Sequence, residues 1–564
     1  MGKNAKKFCF FSRSFPYFAS KSSFYQLKSV LTHPIRQVRV LFRIRLTRIN
    51  YCMILSNPLR IFELVMLEIS PQSFEDFLNE TKKGNVVPVV RSVLADLHTP
   101  VSAFMRVCGD AEKSFLFESV EGGERLARYS FLAANPFMTL RVRNSELNIE
   151  KAGENWNLKD VKLFDYLRGY FAENKLAQRG NLPPLCGGAV GFLTYDAVRW
   201  FEPVLDTGKT FERDDAVWMF FRNILAFDRL KQRIEIVSIV FADEAKGDEE
   251  KLKTLYDEAV AETSRIEETL TVTAVFPKDE NAGNTKNAAF ASNWKKEDFL
   301  KAVETIQESI LSGDAYQVVV SQRFSRHVSA APINIYRALR TTNPSPYMFF
   351  LKTGEETFVG ASPEMLVRAR GKDLDYRPIA GTRKRGADED EDWMLGEDMR
   401  SDEKEISEHV MLVDLGRNDL GRISEYGSVA VGELMKIERY SHVQHLVTSL
   451  HSELRKGLDR FDALASCFPA GTVSGAPKVS AMRIISELEP TSRGIYAGAV
   501  GYIDYAENLD TCIAIRTIQF RGETAFVQAG AGVVADSVPE KEYEETINKA
   551  RALVRAIEIA ENGL

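Results

Sequence analysis

The sequence predicts an α+β protein, and three observations carry that prediction. From Leu67 to about Ile266, strand-like runs (AFMRV, SFLFES, LRVRN, GGAVGFLTYD, AVWMFFRNILAF, RIEIVSIVF) are interrupted by few helical ones. The text therefore lacks the regular strand–helix alternation of a parallel sheet. After residue 292 the same mixture returns. Between the two stretches, residues 277–292 (PKDENAGNTKNAAFAS) are polar and patternless, which reads as a linker. The 564 residues exceed what one hydrophobic core serves, and 45% apolar with 27% charged residues describes a soluble globular protein. The expected organisation is 1–65 a non-native or disordered basic extension, 66–276 an N-terminal domain, 277–292 the linker and 293–564 a second domain.

The individual elements follow from local pattern. PQSFEDFLNETKK and GDEEKLKTLYDEAVAETSRIEETL read as helices of the first domain. The second opens with KKEDFLKAVETIQESILSGD, where Phe299, Val303, Ile306 and Ile310 recur at helical spacing and Gly313 ends the run. YQVVVSQRFS, YMFFLKT, TFVGAS, MLVRAR and LDYRPIAGT read as strands, SDEKEISEHVMLVDL as a helix, and AFVQ as a strand before a helix from Pro539.

Charge is unevenly distributed. The net −6 divides into +11 over residues 1–65, where Glu63 is the single acid, and −17 over the rest. The extension could be a transit peptide or sequence upstream of a start at Met66, and the absence of a cleavage pattern favours the latter. No apolar run approaches the roughly 18 residues of a membrane span. Six scattered cysteines without a C-x-x-C pair argue against zinc or a disulfide framework and fit a reducing cytoplasm. The acidic body argues against nucleic acid, whose binding usually needs a basic stripe.

In AFVQAGAGVVADSVPEKEYEETINKA, Gly530, Gly532 and Ala535 have the G-x-G-x-x-A spacing of a dinucleotide site. That site needs a second parallel strand and an acid about 20 positions on, and within the 564 residues neither follows the helix from Pro539. The glycines can still bring backbone N–H groups close to an anion near a helix start, or simply make a tight turn. Glu542, Glu545 and Lys549 share a helical face, as do Glu405 and Glu408, which precede the apolar run Val410, Met411, Leu412 and Val413, expected to be buried. Each acidic group alone is a solvated helix turn. Two such helices together offer the oxygen ligands of a hard dication such as Mg2+, completed by water and a bound carboxylate. GTVSGAPK (471–478) and GGERLARYS (122–130) fail as phosphate loops on spacing and context.

These residues resemble the chorismate-utilising enzymes, and among them the anthranilate-forming branch. The match rests on GDAYQVVVSQRF, FVGASPE, RPIAGTRKRG, SDEKEISEHVMLVDLGRNDLGR, YSHVQHLVT, FPAGTVSGAPK, GIYAGAVGY, AIRT and QAGAGVVADSVPEKEYEE, with FLFESVEGGERLARYSFLA resembling the family's regulatory domain. The likeness spans roughly 67–560. It implies large antiparallel β-sheets packed as a sandwich with helices outside, and a lyase that converts chorismate and ammonia to anthranilate and pyruvate on the path to L-tryptophan.

By the same resemblance Glu408 and Glu545 ligate Mg2+ with Glu405 and Glu542 close by. Gly381, Thr382, Tyr496, Arg516, Lys549 and the backbone of Ala529, Gly530, Ala531 and Gly532 bind the two substrate carboxylates. Glu364 matches the general acid, His445 a histidine linked to loss of pyruvate, and Thr472 an active-site motif. For His445 the apolar HLVTSL context equally fits a core histidine. Gln317 stands where isochorismate-forming relatives carry a lysine base, and Ala380 where aminodeoxychorismate synthases carry a nucleophilic lysine; direct attack by ammonia is implied. No cysteine lies in a glutaminase elbow, so a separate glutamine amidotransferase subunit and a hetero-oligomer are implied. Glu118, Ser119, Pro346, Tyr347 and Met348 match a tryptophan feedback pocket, though strand and turn packing would also account for them. The alternatives are an aminodeoxychorismate-forming enzyme of the folate pathway and a non-catalytic regulatory relative.

Overall fold

Each helix is set by its own start signals. Ser73 accepts from the Asp76 amide to cap Phe74–Thr81, and Asp248 caps Glu249–Thr271 in the same way. Lys296–Leu311 buries Phe299, Val303 and Ile306 and stops before Gly313, whose φ of +87° suits glycine. The computed structural model describes residues 69–564 apart from 121–127, 178, 179, 181, 209, 211, 278–288, 441 and 442. The basic extension, most of the linker and most of GGERLARYS lie outside the described residues. Leu67–Leu564 clusters as one compact unit.

Two antiparallel sheets dominate. The larger has 13 strands and the second 11, beside a small three-stranded sheet. Neither large sheet respects the division at 277–292. In the first, Lys113–Glu118 pairs with Tyr347–Thr353, placing Glu118 opposite Met348. In the second, Gly188–Leu193 pairs with Ala499–Asp504, placing Gly191 opposite Gly501. The segments on either side of the linker thus contribute adjacent strands to both sheets.

The sheets pack face to face through aromatic side chains, with Phe192 of one 4.9 Å from Phe358 of the other and Phe115 5.1 Å from Phe221. Such edge-on pairs add to the burial of their area. The outer face of the first sheet is covered by Pro332–Thr342 and Pro539–Glu561, whose Ile335, Leu339, Leu553 and Ile557 join its strands in one core. Leu163–Glu173 and Arg460–Cys467 pack with residues of the second sheet. This is the helix-covered sandwich that the resemblance implied. No described helix is long and apolar enough to cross a membrane. Cys108, Cys186, Cys467 and Cys512 are buried and not joined in disulfides.

One sequence expectation is corrected. Of the run Val410–Val413 only Val413 is buried, and Val410 is 45% exposed. The helix Glu403–Gly421 buries a stripe of His409, Val413, Gly416 and Leu420, spaced four, three and four apart, so four consecutive apolar residues cannot all face inward.

The stretch GTVSGAPK has a structural use. Lys478 is the first residue of the helix Lys478–Leu488, and its Nζ lies 2.8 Å from Oδ2 of Asp419, whose side chain is buried while that of Lys478 is 11% exposed. Burial pushes the Asp419 carboxyl upward and Lys478 opposes that shift. Lys478→Met is therefore expected to cost about 3–5 kcal/mol by stranding a buried carboxylate. In urea unfolding the midpoint falls, and Asp419→Leu in the same chain recovers most of the loss.

Candidate active site

The chain changes sheets twice at one end of the sandwich, and those crossings build a cavity. Thr357–Ser362 belongs to the first sheet and Met365–Arg370 to the second, joined by Pro363 and Glu364. Asn508–Ile513 returns to the first sheet at Thr517–Arg521 through Ala514, Ile515 and Arg516, the last at φ +51°. The crossings are tied together: the Ile513 amide donates to the Glu364 carbonyl at 3.0 Å and the Ala361 amide to the Arg516 carbonyl at 3.0 Å. A cavity of about 220 Å³ lies there.

Eleven candidate residues line it: Glu364, Gly381, Thr382, His445, Thr472, Tyr496, Arg516, Ala529, Gly530, Gly532 and Lys549. Ala380 lines it as well. The small sheet supplies three of the eleven. Ile379–Lys384 pairs with Val443–Val447, and an irregularity between Ala380 and Arg383 sets Gly381 and Thr382 out of register beside His445. Gly381 has φ +65°, and a Cβ there would meet Met399 Sδ at 3.0 Å and Glu405 Oε2 at 3.1 Å. His445 Nδ1 lies 2.8 Å from the Gly381 carbonyl and 3.2 Å from Thr382 Oγ1. A carbonyl only accepts, so Nδ1 carries the hydrogen and Nε2 is the basic nitrogen.

The glycine stretch differs from its sequence reading. Gly530 and Gly532 are not in a loop; they lie inside the strand Thr524–Val533, paired with Ser321 and Val319. The neighbour on the other side, Thr517–Arg521, pairs only with residues 524–527, so residues 528–533 run past it toward the cavity. Glycine is needed for space rather than for turning. A Cβ on Gly530 would sit 2.7 Å from Tyr496 Oη, and one on Gly532 2.7 Å from Gln317 Nε2. Ala531, on the alternate face, is fully buried and does not line the cavity, and neither does Gln317.

The cavity wall is positive. Arg516 donates to the Lys549 carbonyl at 2.5 Å, while Lys549 Nζ contacts the Gly530 carbonyl at 3.0 Å and Glu545 Oε1 at 2.7 Å. Opposite this charge stands one carboxyl: Thr472 Oγ1 donates to Glu364 Oε2 at 2.9 Å. Burial raises the Glu364 pKa, and Thr472, Lys549 and Arg516 partly offset the rise. Burial also pushes the Tyr496 hydroxyl up to about 12.

The four acidic candidates come from two helices, Glu403–Gly421 and Pro539–Glu561. Burial raises the Glu408 carboxyl, and the charges of Glu405, Glu545 and Glu542 raise it further against Lys404. Glu542 is raised by burial and by Glu545. The carboxylates thus repel one another across the gap, an excess of negative oxygen that a dication fits. Among the described residues no three acidic, histidine or cysteine groups already form a chelating cluster. Glu405 Oε1 is engaged by Arg383 at 2.8 Å and Glu545 by Lys549. A metal that takes one or two protein carboxylates and fills its shell with water and substrate accords with that set.

A second cavity, of about 110 Å³, lies between the sheets and is lined by Glu118, Ser119, Pro346, Tyr347 and Met348. Sequence reasoning missed its other wall, which includes Tyr129, Arg368, Tyr502 and Asp510. Tyr347 donates to Asp510 Oδ1 at 3.1 Å. Tyr129 and Tyr502 fall inside stretches that carry the resemblance, but nothing local sets them against this cavity, because strand pairing over long sequence distances brings them there. Glu118 is buried and held by Tyr336 at 2.7 Å and Arg340 at 3.0 Å.

The chain belongs to the family of chorismate binding enzymes, whose sequence profile matches residues 112–555. Within it the chain is similar to anthranilate synthase component 1. It is 46% identical over 488 residues to that protein from Acetivibrio thermocellus, covering 85% of this chain and 97% of the relative. It is 44% identical to that of Aquifex aeolicus (strain VF5), covering 87% and 98%. The crystal structure of anthranilate synthase component I from Streptococcus pneumoniae TIGR4 superposes with a TM-score of 0.66 at 36% identity, covering 82% of this chain and 99% of that one.

Proposed function

We propose that this protein is a lyase that combines chorismate with ammonia to give anthranilate, pyruvate and water. The observation that supports this reading most directly is the cavity at the sheet crossings, where a cationic wall of Arg516 and Lys549 faces the hydrogen-bonded acid Glu364. A dianion needs such a wall, and Tyr496, Thr382 and the backbone of residues 529–532 add donors and orientation to it. Ammonia's lone pair adds to the ring carbon beside the carboxylate, the ring electrons shift, and the distal C–O bond breaks. Glu364, whose carboxyl burial pushes toward the protonated form, supplies the proton that makes the departing hydroxyl water. The nitrogen sheds its surplus proton. His445, basic at Nε2, then takes the ring proton while the enolpyruvyl C–O bond breaks, giving the aromatic ring and an enolate that takes a proton at its methylene carbon to become pyruvate. Gln317, an amide that cannot deprotonate water, suits attack by ammonia rather than by hydroxide.

Glu408 and Glu545, with Glu405 and Glu542, would hold Mg2+. When bound it supplies a Lewis acid that neutralises the ring carboxylate and draws electron density from the ring. In the cell, ammonia would come from a glutamine amidotransferase subunit, giving a cytoplasmic hetero-oligomer. Ala380 on the cavity wall leaves no nucleophilic amine there, which favours anthranilate over the aminodeoxychorismate product. The test is direct: the purified chain with chorismate, Mg2+ and an ammonium salt develops anthranilate fluorescence. Folded protein that gives none would point instead to a regulatory relative.

The cavity between the sheets fits an aromatic amino acid, and L-tryptophan as feedback inhibitor is its proposed occupant. Ser119→Arg is expected to abolish tryptophan inhibition while ammonia-dependent turnover stays within about twofold, because the side chain fills the pocket without touching the reacting atoms. An unaltered inhibition curve would remove the assignment.

A further inference from the structure

A buried ion pair behind the wall of the cavity at the sheet crossings has no role in the scheme above. Arg493 is 2% exposed and stands behind the residues that line the cavity rather than among them. Its guanidinium makes a two-pronged pair with Glu489, Nε to Oε2 at 2.9 Å and Nη2 to Oε1 at 2.7 Å. Glu489 Oε1 also accepts from the Ser321 amide and hydroxyl, each at 2.8 Å, which ties the pair to the strand Gln317–His327. The other edge of the guanidinium reaches forward. Nη2 donates to the Val319 carbonyl and Nη1 to the Val473 carbonyl, each at 2.7 Å, and the group lies 5.5 Å from the centre of the Tyr496 ring. Val319, Val473 and Tyr496 all line the cavity.

The two carbonyls lie where two segments part. Gln317 and Val318 pair with Ala476 and Gly475, and the Val319 amide takes the Ser474 carbonyl at 2.9 Å, but the turn Gly471–Val473 leaves the strand. Thr472 sits in that turn, beside Val473, and donates to Glu364. A guanidinium is planar and rigid, so it fixes both carbonyls and a carboxylate at one spacing, where an ammonium is a single point of charge. We propose that Arg493 is a positioning residue for the proton donor, clamping the Val473 carbonyl to Val319 and Glu489 and so holding the Thr472 hydroxyl on Glu364. This rests on the reading of Glu364 as the acid of anthranilate formation. Glu364 is also faced by Lys549 on the helix Pro539–Glu561, by Arg516 at the crossing, and by Tyr496 and Tyr376, and His445 lines the same cavity. A lysine at position 493 keeps the positive charge, so the field of all these groups at Glu364 is preserved and the effect runs through Thr472.

The test is kcat of the full chain against pH, with chorismate and ammonium saturating, for wild type, Thr472→Val, Arg493→Lys and the two combined. The Thr472 bond stabilises ionised Glu364, so its loss keeps the acid protonated to higher pH. Arg493→Lys is therefore expected to move the alkaline limb upward by about half a pH unit or more, the direction expected of Thr472→Val. In the Thr472→Val background the same change adds no further displacement, because the bond it supports is already gone. If the lysine variant does not fold, Arg493→Gln combined with Glu489→Gln leaves no stranded charge and carries the same test. A merely structural arginine would lower stability and kcat without moving the limb. A limb that stays or falls in Arg493→Lys, or that moves as far again in the Thr472→Val background, overturns the proposal. Wild-type protein that makes no anthranilate, or a limb unmoved in Thr472→Val, would instead overturn the reading on which it rests.

Discussion

Replacing Glu364 by Gln is expected to lower kcat for anthranilate formation about 10³-fold while leaving the KM for chorismate nearly unchanged. General acid catalysis by a positioned group contributes roughly 10²–10⁴-fold, and glutamine keeps the shape and the contact with Thr472 but has no proton to give. A loss confined to kcat is the mark of an interaction made only in the transition state. The pH dependence follows from the same environment. Glu364 must be protonated to act, and burial raises its pKa above the ordinary carboxyl range, so activity falls as pH rises through that elevated value. Thr472 stabilises the ionised form. Thr472→Val is thus expected to move the alkaline limb of kcat to still higher pH. A limb that stays in place in Thr472→Val, or an active Glu364→Gln enzyme, would assign the proton to another group.

The second large effect is expected at the acidic helices. If Glu408 holds the metal as proposed, Glu408→Gln should raise the Mg2+ concentration for half-maximal activity by more than the roughly 10–100-fold that loss of a supporting partner costs, because it would remove a ligand oxygen itself. Glu405→Gln should do less, since Arg383 already engages that carboxylate and its part is to place the helix and the Gly381 turn beside it. Magnesium titrations of both variants, read by anthranilate fluorescence, separate the two. Equal sensitivity would mean that Glu405 is as much a ligand as Glu408.

What the sequence disclosed depended on the range of the interactions involved. Helical spacing alone placed Lys296–Leu311 and its stop at Gly313, because that element is governed by neighbours three and four residues away. The motif residues gathered on the cavity at the sheet crossings were legible by resemblance, but not their mutual geometry: nothing local says that Thr472 donates to Glu364, 108 residues earlier. The tight turn expected at the two glycines is a strand, for a reason legible in their spacing. A separation of two positions matches the alternation of a strand, and Gly530 and Gly532 lie on one face where Tyr496 and Gln317 need room. Asp510 in the second cavity carries no motif, and although Tyr502 and Gln528 fall inside stretches that carry the resemblance, strand register rather than local pattern puts them at their cavities. The run Val410–Val413 shows the converse error, apolar content outweighing helical period.

The hydrogen-bonded ladders Lys113–Glu118 to Tyr347–Thr353 and Gly188–Leu193 to Ala499–Asp504 stitch the first half of the chain to the second. A fragment ending before residue 277, or beginning after 292, would display two raw sheet edges apiece, each a template for aggregation. Halves produced together from separate genes have complementary edges and can zip into one body; halves produced apart have none. Exchanging the second cavity between relatives therefore means exchanging matched strand pairs rather than a front portion of the polypeptide.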